Sequence, residues 1–378
     1  MEKRYLFTPG PTPVPPAVLA ASAEPIVHHR GADFREIYAS VLGRLKDVFR
    51  TSSDVLLFTA SGSGAMESAV ANLCAPGDRV AVVVHGSFGE RWLAICEQHE
   101  LDVHAIRYEW GERPDPDEVG AAVRDSGARI VLCQQSDTST GVVSDVRAIK
   151  EAIDDARLVV DAVSSLGAVP LETDDWGIDV VVSGSQKALM APPGLAMVSV
   201  PEGVLAEAKP SRSFYFDWRR NKTAQDALDA AFTPAVSLIR SLDVALGLLL
   251  EQGLEVAFDR HVRLGRATRA GVKAMGLELF SPDDDSAAVV TAIRAPAGID
   301  ADDLLAHLRS RHGVTLAPGQ QHLKGKIFRI GHIGWFDVFD IASALAAVEL
   351  SLTELGADIE RGAAVPAAFA AFETPVAA

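Results

Sequence analysis

The chain has 378 residues, of which 48% are hydrophobic and 23% are charged, and its formal net charge is −16. This composition supports a large buried core and excludes disorder throughout. The negative charge disfavours nucleic acid and anionic membranes, so we expect a small-molecule partner. No stretch is apolar for long enough to span a membrane, and the first residues lack an apolar secretion segment, so we expect a cytoplasmic protein.

Three cysteines, Cys74, Cys96 and Cys133, lie in apolar runs at wide spacing. An odd number at such spacing is typical of reduced core thiols rather than of disulfides or a zinc site. We therefore expect reduced thiols and no metal ligands among the site residues.

The first two thirds of the chain alternate between predicted strands and helices. A proline-rich arm, TPGPTPVPP, precedes a predicted helix at 34–49, and residues 55–59 form a strand that leads through a Ser/Gly turn into another helix. Further predicted strands are RVAVVV, ARIVLCQ and RLVVDAVS, with helical segments between them. Such alternation predicts an α/β domain with a mostly parallel sheet and helices on both faces. We assign residues 1–18 to an extended arm and 19–252 to this large domain.

The last third predicts a smaller α+β domain at 253–360. A long helix at 234–253 leads into it, followed by a basic helix at 262–275. Two strands, AAVVTAIR and KIFRIGHI, alternate with the helices DDLLAHLRSRHG and IASALAAVELSLTEL. Residues 361–378 lack a clear period and are predicted to be a loose tail.

The functional prediction depends first on one lysine, Lys187. Lys187 lies in DVVVSGSQKALMAPPGLAMVSV, in a tight connection between two predicted core strands. It is either a surface residue in a turn or a desolvated amine beside a cleft.

Two further features point to a charged ligand. Ser61, Gly62 and Ser63 follow a strand and begin a helix, so their N–H groups and hydroxyls form an anion site, unless this is a plain glycine-rich turn. Asp161 ends a buried strand 26 residues before Lys187 and faces the same crevice, although it would also suit a cap on the following turn.

The remaining candidates are an aromatic ring, a hydroxyl and a guanidinium. Phe88 and Thr138 follow predicted strands, where they could stack on a flat ring and reach its substituents. Arg329 lies inside an apolar strand and needs an anion, either a substrate carboxylate or an internal Asp or Glu. A phosphate site, a lysine, an aspartate and a stacking ring together are the parts that bind pyridoxal 5'-phosphate.

Several motifs then identify a family resemblance. GSQKALMAPPG, LVVDAVSSLG, TASGSGAMESAV, PGPTPVPP, FTPAVSL and KIFRIGHIG resemble class V aminotransferases of pyridoxal-phosphate fold type I, in the branch of alanine-glyoxylate, serine-glyoxylate and serine-pyruvate enzymes. The resemblance covers about 6–355. It implies a large domain with a seven-stranded type of sheet and a smaller α+β C-terminal domain.

The resemblance also implies a role for each site residue. Lys187 would be the Schiff-base lysine, Asp161 the partner of the ring nitrogen, and Arg329 the group that binds the substrate carboxylate. The other roles would be phosphate binding by Ser61, Gly62, Ser63 and Gln186, ring stacking by Phe88, contact with the ring hydroxyl by Thr138, packing beneath the ring by Val163, and phosphate binding from the neighbouring subunit by Thr233. The last role implies a homodimer with shared active sites.

Two positions depart from the family pattern. Ala230 stands where some members have a tyrosine that reaches the phosphate, and Asp137 stands where glutamate is usual. The first puts one contact across the subunit interface in doubt.

The implied activity is ping-pong transfer of an amino group from serine, alanine or glycine to glyoxylate or pyruvate. Three alternatives remain at this point: a cysteine desulfurase, a non-catalytic protein on the same scaffold, and an aspartate or phosphoserine aminotransferase that uses 2-oxoglutarate. Arg30, which follows two histidines, would supply the second positive charge that the last alternative needs.

Overall fold

The computed structural model describes residues 3–376. Its strands are β1 (Tyr5–Leu6), β2 (Asp54–Phe58), β3 (Arg79–Val84), β4 (Asp102–Arg107), β5 (Ile130–Gln134), β6 (Ser136–Asp137), β7 (Val142–Val143), β8 (Arg157–Asp161), β9 (Val180–Gly184), β10 (Ala196–Val200), β11 (Val290–Arg294), β12 (Val314–Thr315), β13 (Ala317–Pro318) and β14 (Ile327–Gly331). Its α-helices are α1 (Pro16–Ser22), α2 (Ala32–Phe49), α3 (Gly62–Leu73), α4 (Ser87–Gln98), α5 (Pro116–Ser126), α6 (Val146–Ala152), α7 (Glu202–Glu207), α8 (Trp218–Asp226), α9 (Val236–Gln252), α10 (Leu254–Ala274), α11 (Ala301–His312), α12 (Val338–Glu354) and α13 (Ala364–Glu373).

A seven-stranded sheet forms the centre of the large domain, in the order β2-β10-β9-β8-β5-β3-β4. Its strands are parallel except β10, which runs antiparallel to both neighbours. Successive side chains of the inner strands enter two separate cores: Val159 and Val180 pack on one face, and Val160 and Val181 on the other. Burial on both faces explains why these strands are continuous apolar runs, and the predicted mostly parallel sheet is confirmed.

The edge strand β4 was not predicted. Its sequence, DVHAIR, alternates between polar and apolar residues, and only Ile106 is fully buried. An edge strand that is half solvated lacks the apolar run by which the inner strands are recognised. Helix α5, which follows it, was also not predicted, although its buried residues Val119 and Val123 are one helical turn apart.

The smaller unit contains a three-stranded antiparallel sheet, β11-β14-β13, covered by α10, α11 and α12. This matches the α+β arrangement expected from the sequence. The proposed boundary at 252/253 falls between α9 and α10, which share Gly253 as a cap. The domain bounds themselves remain predictions.

The predicted loose tail is wrong for the residues that the structure describes. Residues 364–373 form α13, in which Ala364 and Ala368 are fully buried among the side chains of the small-domain core. Arg263 on α10 donates a hydrogen bond of 2.8 Å to Phe372 O, and its guanidinium lies 4.1 Å from the Phe372 ring. Positions 364, 368 and 372 are one helical turn apart, but so short an alanine-rich helix is stable only when it packs against another element. Residues 377–378 lie outside the described chain.

The N-terminal arm is extended only up to Pro15. Strand β1 pairs in parallel with β12, and α1 then begins at Pro16, inside the segment predicted to be extended. Proline at the first helical position has the φ angle that a helix requires, which explains the start there. The arm prediction is therefore wrong for residues 16–18, and residues 1–2 lie outside the described chain.

The three cysteines are free and buried, as expected. Within residues 3–376, no helix combines the length and apolarity needed to cross a membrane.

Candidate active site

Lys187 is a buried amine at the carboxyl edge of the large sheet. It follows β9 by three residues, is 8% exposed, and its Nζ donates a hydrogen bond of 2.7 Å to Pro9 O. Burial lowers the pKa of Lys187 to about 8, and the charge of Arg329 lowers it further while that of Asp161 opposes the shift. The interpretation as a desolvated amine is correct, and the interpretation as a surface turn residue is wrong.

Asp161 ends β8 next to β9, where its backbone pairs with Val182. Burial raises the pKa of its carboxyl group to about 6, although a hydrogen bond of 2.8 Å from Val163 N to Oδ1 and the charge of Lys187 favour the ionised form. Asp161 therefore caps the following turn with one oxygen and remains close enough to Lys187 for each charge to affect the other. The two sequence interpretations of Asp161 are compatible.

The predicted phosphate site forms at the start of α3. Ser61 is the N-cap but makes no capping hydrogen bond with its side chain, and the N–H groups of Gly62 and Ser63 open the helix, where no intrahelical acceptor exists. Gln186 reaches the same place: a Cβ on Gly184 would lie 2.9 Å from Gln186 Oε1 and 3.4 Å from Gly62 N. Among residues 3–376, the buried Gln186 Oε1 has no hydrogen-bond partner. The free N–H groups of Gly62 and Ser63 suit an anion, and Gln186 would bind one through its amide N–H groups rather than through Oε1, which only accepts.

Val163 packs directly against this turn. A Cβ on Gly62 would lie 2.6 Å from Val163 Cγ2, so only glycine permits the approach. The branched side chain therefore borders the anion site, and its position beneath the cofactor ring stays a prediction.

Helix α4 contributes Phe88 and a residue that sequence analysis missed, Arg91. The Arg91 guanidinium lies 4.7 Å from the centre of the Phe88 ring and donates a hydrogen bond of 3.0 Å to Ser63 Oγ. Its positive charge also affects the pKa values of Asp161 and Lys187. The spacing of three residues after Phe88 puts both side chains on one helix face, a signal that could have identified Arg91.

Asp137 links α4 to the loop that carries Thr138. Its buried carboxylate accepts hydrogen bonds of 2.9 Å from Phe88 N and from Ser139 N. Sequence analysis noted Asp137 only as a departure from the family pattern and gave it no role. In the fold it sets the position of Phe88 relative to Thr138.

Arg329 lies in the middle of β14 with its guanidinium turned toward the Thr138 loop. Its Nε and Nη2 donate to Pro318 O at 2.9 and 2.7 Å, and Nη1 donates to Thr138 O. No ion pair within residues 3–376 includes Arg329, so the alternative of an internal Asp or Glu partner is wrong. Three of the five N–H donors are used and two remain for a ligand. Burial lowers its pKa to about 10, and the charge of Asp137 partly opposes this.

The N-terminal arm covers Lys187. Gly10 has φ +136°, and a Cβ there would overlap the Lys187 side chain. Thr12 donates through Oγ1 to Lys187 O at 3.1 Å, and Gly334 packs against the same oxygen and is held by a hydrogen bond of 2.9 Å from its N–H to His261 Nε2. The arm and the 332–335 loop therefore enclose the lysine from the side opposite the sheet. The sequence predicts an extended arm here but not that its partner is Lys187.

Two predicted site residues do not reach this cleft within one chain. Thr233 is exposed just before α9, and among residues 3–376 no hydrogen bond joins it to the phosphate turn. It lines an open groove of about 720 Å³ together with Ile26, His28 and His29. Arg30 is exposed beside this groove, with its Nε 3.4 Å from His29 Nε2.

The family Aminotransferase class-V matches residues 4–331. The chain belongs to the class-V aminotransferases. It is therefore a transaminase that uses pyridoxal 5'-phosphate, and the free N–H groups of Gly62 and Ser63 and the buried amine of Lys187 fit that cofactor.

Curated class-V relatives match nearly the whole chain. A Synechococcus protein named soluble hydrogenase, small subunit, is 41% identical over 97% of this chain and 98% of its own. Serine-glyoxylate aminotransferase of Methylorubrum extorquens is 36% identical over 97% and 95%, and L-aspartate-glyoxylate aminotransferase of Paracoccus denitrificans is 36% identical over 96% and 94%. Each activity named here is that of the relative.

The fold is also that of solved class-V aminotransferases. The structure of ureidoglycine-glyoxylate aminotransferase from Bacillus subtilis superposes with a TM-score of 0.93 at 32% identity and covers 99% of both chains. The fold class expected from the resemblance is confirmed.

Proposed function

We propose that this aminotransferase moves the amino group of a small monocarboxylic amino acid, such as serine, alanine or glycine, to glyoxylate or pyruvate in a ping-pong reaction. The observation that carries the proposal is one cleft in which the buried amine of Lys187 faces Asp161 and an Arg329 guanidinium with two unused N–H donors. The serine-glyoxylate, L-aspartate-glyoxylate and ureidoglycine-glyoxylate enzymes among the relatives all have glyoxylate in their names, which favours glyoxylate as the acceptor.

Ser61, Gly62, Ser63 and Gln186 would hold the phosphate of the cofactor, and Phe88 and Val163 would hold its ring from either side. When bound, the cofactor supplies an electron sink for the carbanion that forms at the substrate Cα. Asp161 would keep the proton on the ring nitrogen, because a carboxylate buried at that position favours a positively charged partner. Thr138 would contact the ring hydroxyl.

Lys187 would move the proton at the substrate Cα. A pKa near 8 leaves a sizeable fraction of the amine neutral at neutral pH, so Nζ can accept the proton and return it. Arg329 would orient the substrate by binding its carboxylate through the two free donors. The arm over Lys187 would exclude water from the proton transfer, since Pro9 and Gly10 lie against the amine.

The charge inventory of the cleft favours monocarboxylate donors. Arg329 is the buried guanidinium of the cleft, whereas Arg91 is exposed and donates to Ser63 Oγ, which places its charge at the predicted phosphate site. A second substrate carboxylate without a cation in a desolvated pocket would cost several kcal/mol, about 2 to 7 for an uncompensated polar group and more for a charge. Serine, alanine and glycine avoid this cost.

A cysteine desulfurase activity is disfavoured by the thiols. Burial raises the pKa of Cys74 and of Cys133 to about 12, and Cys96 is shifted in the same direction, so these sulfurs stay protonated and enclosed by apolar side chains. A nucleophilic cysteine needs a thiolate that the substrate can reach.

The second candidate is a dicarboxylate or phosphoserine donor with 2-oxoglutarate. The specific observation in its favour is the exposed Arg30, which follows His29 beside the groove that Thr233 lines and would therefore lie near a second subunit seated there. The aspartate-glyoxylate relative points in the same direction for the donor.

One substrate panel separates the two candidates. We would measure kcat/KM for serine, alanine, glycine, aspartate and phosphoserine, each with glyoxylate, pyruvate and 2-oxoglutarate, in the wild type, Arg30→Ala and Arg35→Ala. Arg35 is an exposed arginine on the neighbouring helix and serves as the matched control. We expect a small monocarboxylate donor with glyoxylate to be best in all three proteins. Preference for a 2-oxoglutarate pair that disappears in Arg30→Ala and persists in Arg35→Ala would overturn the substrate assignment and leave the cofactor chemistry intact.

We further propose that the enzyme works as a homodimer with shared active sites. The groove formed by 26–29 and 233–238 carries exposed apolar surface, including Ile26, which is typical of an interface. A second copy seated there would place its Thr233 at the phosphate of the first.

A further inference from the structure

A second group of metal-ligating side chains lies in the small domain, outside the Lys187 cleft. His307 and His312 on α11 point their Nε2 atoms at the same oxygen of Glu354, the last residue of α12, at 2.7 and 2.9 Å. One ligand atom from each of the three residues lies within 4.8 Å of the other two. Two imidazoles that converge on one carboxylate oxygen form a compact N,N,O set.

The helices explain why the three side chains meet. His312 ends α11 before Gly313, whose φ of +67° stops the helix, and Glu354 ends α12. The carbonyl ends of two helices therefore converge at the cluster. Helix C-termini carry a partial negative charge that favours cations, so the backbone contributes to the site independently of the side chains.

The three side chains are partly buried but remain accessible to solvent. The side chains of His307, His312 and Glu354 are 25%, 19% and 33% exposed, which leaves a solvent side for an incoming ion and a water ligand. Arg309 and Arg311, the other basic residues of this turn, are exposed to solvent.

We propose that His307, His312 and Glu354 bind a divalent transition-metal ion of the zinc class, with water at the open position. Two imidazole nitrogens and one carboxylate oxygen are a ligand set that zinc accepts, while magnesium and calcium prefer oxygen ligands alone. Ligands at about 2.0–2.1 Å from a tetrahedral ion lie roughly 3.3 Å apart, so the two nitrogen–oxygen distances of 2.7 and 2.9 Å must widen by about half an ångström for the ion to enter. Each ring then presents the Nε2 lone pair to the ion, and a proton held between that nitrogen and Glu354 moves to Nδ1 or to water.

The bound ion would link α11 to α12 close to the place where the N-terminal arm pairs with the small domain. Gly313 follows His312 directly, and its carbonyl accepts a hydrogen bond of 2.9 Å from Tyr5 N at the start of β1. The ion would steady this attachment and raise the melting temperature of the holoenzyme without changing the amino-transfer site.

The test uses untagged holoenzyme freed of metal with a chelator and then titrated with Zn²⁺, Ni²⁺, Mg²⁺ or Ca²⁺. The variants are His307→Gln, His312→Gln and Glu354→Gln. The control is the double variant His28→Gln with His29→Gln, because these histidines form the other close imidazole pair, with ring centres 5.1 Å apart. The readouts are metal stoichiometry, affinity and melting temperature for every protein. The value of kcat is compared between the wild type and the three cluster variants only, because His28 and His29 line the proposed dimer groove.

We expect one Zn²⁺ per chain in the wild type and in the double-histidine control, with a higher melting temperature on binding. Each cluster variant removes a direct ligand, so it should lose at least the roughly 10–100-fold in affinity that loss of an outer-shell partner costs, at unchanged kcat. Zinc binding that is the same in the cluster variants, or that is lost in the His28 and His29 variant, would overturn the proposal. Equal binding of Ca²⁺ or Mg²⁺ would also overturn it, because it would indicate a simple acidic surface.

Discussion

The lowered pKa of Lys187 determines how the apoenzyme responds to alkaline pH. Burial lowers this pKa from an ordinary value near 10.5 to about 8. Between these two values the unfolded chain holds more protons than the folded chain, so the free energy of unfolding rises as the pH rises from about 8 to about 10.5. Below pH 8 the cost of the buried charge is fully present.

We therefore predict that Lys187→Met removes this rise and stabilises the apoenzyme at pH 7. The measurement is urea unfolding of cofactor-free protein at several pH values, with Lys324→Met as a control that removes an exposed lysine. A slope that survives in Lys187→Met, or that disappears in Lys324→Met, would show that the buried amine is not its source.

Asp161 gives a prediction in which stability and activity move in opposite directions. Its folded pKa of about 6 lies above the ordinary value of 3.8. The free energy of unfolding of the apoenzyme therefore falls as the pH rises from about 3.8 to about 6, and above pH 6 the full cost of burying the charged carboxylate remains. Asp161→Asn keeps the size and the acceptor for Val163 N but removes the charge. We expect unchanged or higher apoenzyme stability at pH 7 and a fall in kcat on the order of 10²-fold or more, the scale of losing one preorganised electrostatic group. Urea unfolding and steady-state kinetics check this; a kcat within a few-fold of wild type contradicts the role assigned to Asp161.

At the scale of elements, the N-terminal arm contacts Lys187 directly through Pro9 and Gly10. Gly10→Ala would force both a left-handed residue and an overlap with Lys187, whereas Gly127 also has positive φ, +69°, but open space around its Cβ position. We expect each variant to lose about 1 kcal/mol of stability from backbone strain. Only Gly10→Ala should also weaken cofactor binding and lower kcat.

Cofactor titration followed by fluorescence, together with kcat, distinguishes the two glycine variants. If Gly10→Ala keeps the affinity and turnover of Gly127→Ala, the arm does not constrain the lysine.

Periodicity predicted the elements that are buried on both sides or that have one clear apolar face. The inner strands β3, β5 and β8 are continuous apolar runs and were predicted, and the helix at 34–49 matches α2 within two residues. Strand β4 and helix α13 were not predicted, because their few apolar residues are buried only by contact with a neighbouring element. The local sequence does not indicate which element that is.

The candidate site divides in the same way. Lys187, Asp161 and the Ser61 turn follow strands of one parallel sheet, so their meeting follows from topology. Arg91 and Asp137 act through contacts between α4, the 136–141 loop and the phosphate turn, and these contacts depend on the packed fold. The roles of all these residues stay predictions until variants are tested.

At the scale of the whole molecule, the proposed dimer predicts that cofactor affinity depends on assembly, because Thr233 is exposed in one chain and would reach the phosphate of the neighbouring subunit. Dilution below the dimer dissociation constant should weaken cofactor binding, and Thr233→Val should weaken it at every concentration. Thr223→Val, at another exposed threonine on α8, is the matched control and should behave as wild type. Analytical ultracentrifugation paired with cofactor titration makes the measurement; affinity that is independent of oligomeric state would exclude a shared site.

The most direct measurement of the central claim follows the nitrogen atom itself. Holoenzyme is mixed with ¹⁵N-labelled serine or alanine and unlabelled glyoxylate, and the glycine formed is analysed by mass spectrometry, for the wild type and for Lys187→Ala. We predict that the wild type transfers the label and forms ¹⁵N-glycine. Lys187→Ala should form almost none, although that variant remains folded. Transfer at an undiminished rate in Lys187→Ala, or no transfer to glyoxylate or pyruvate from any small donor by the wild type, would contradict it.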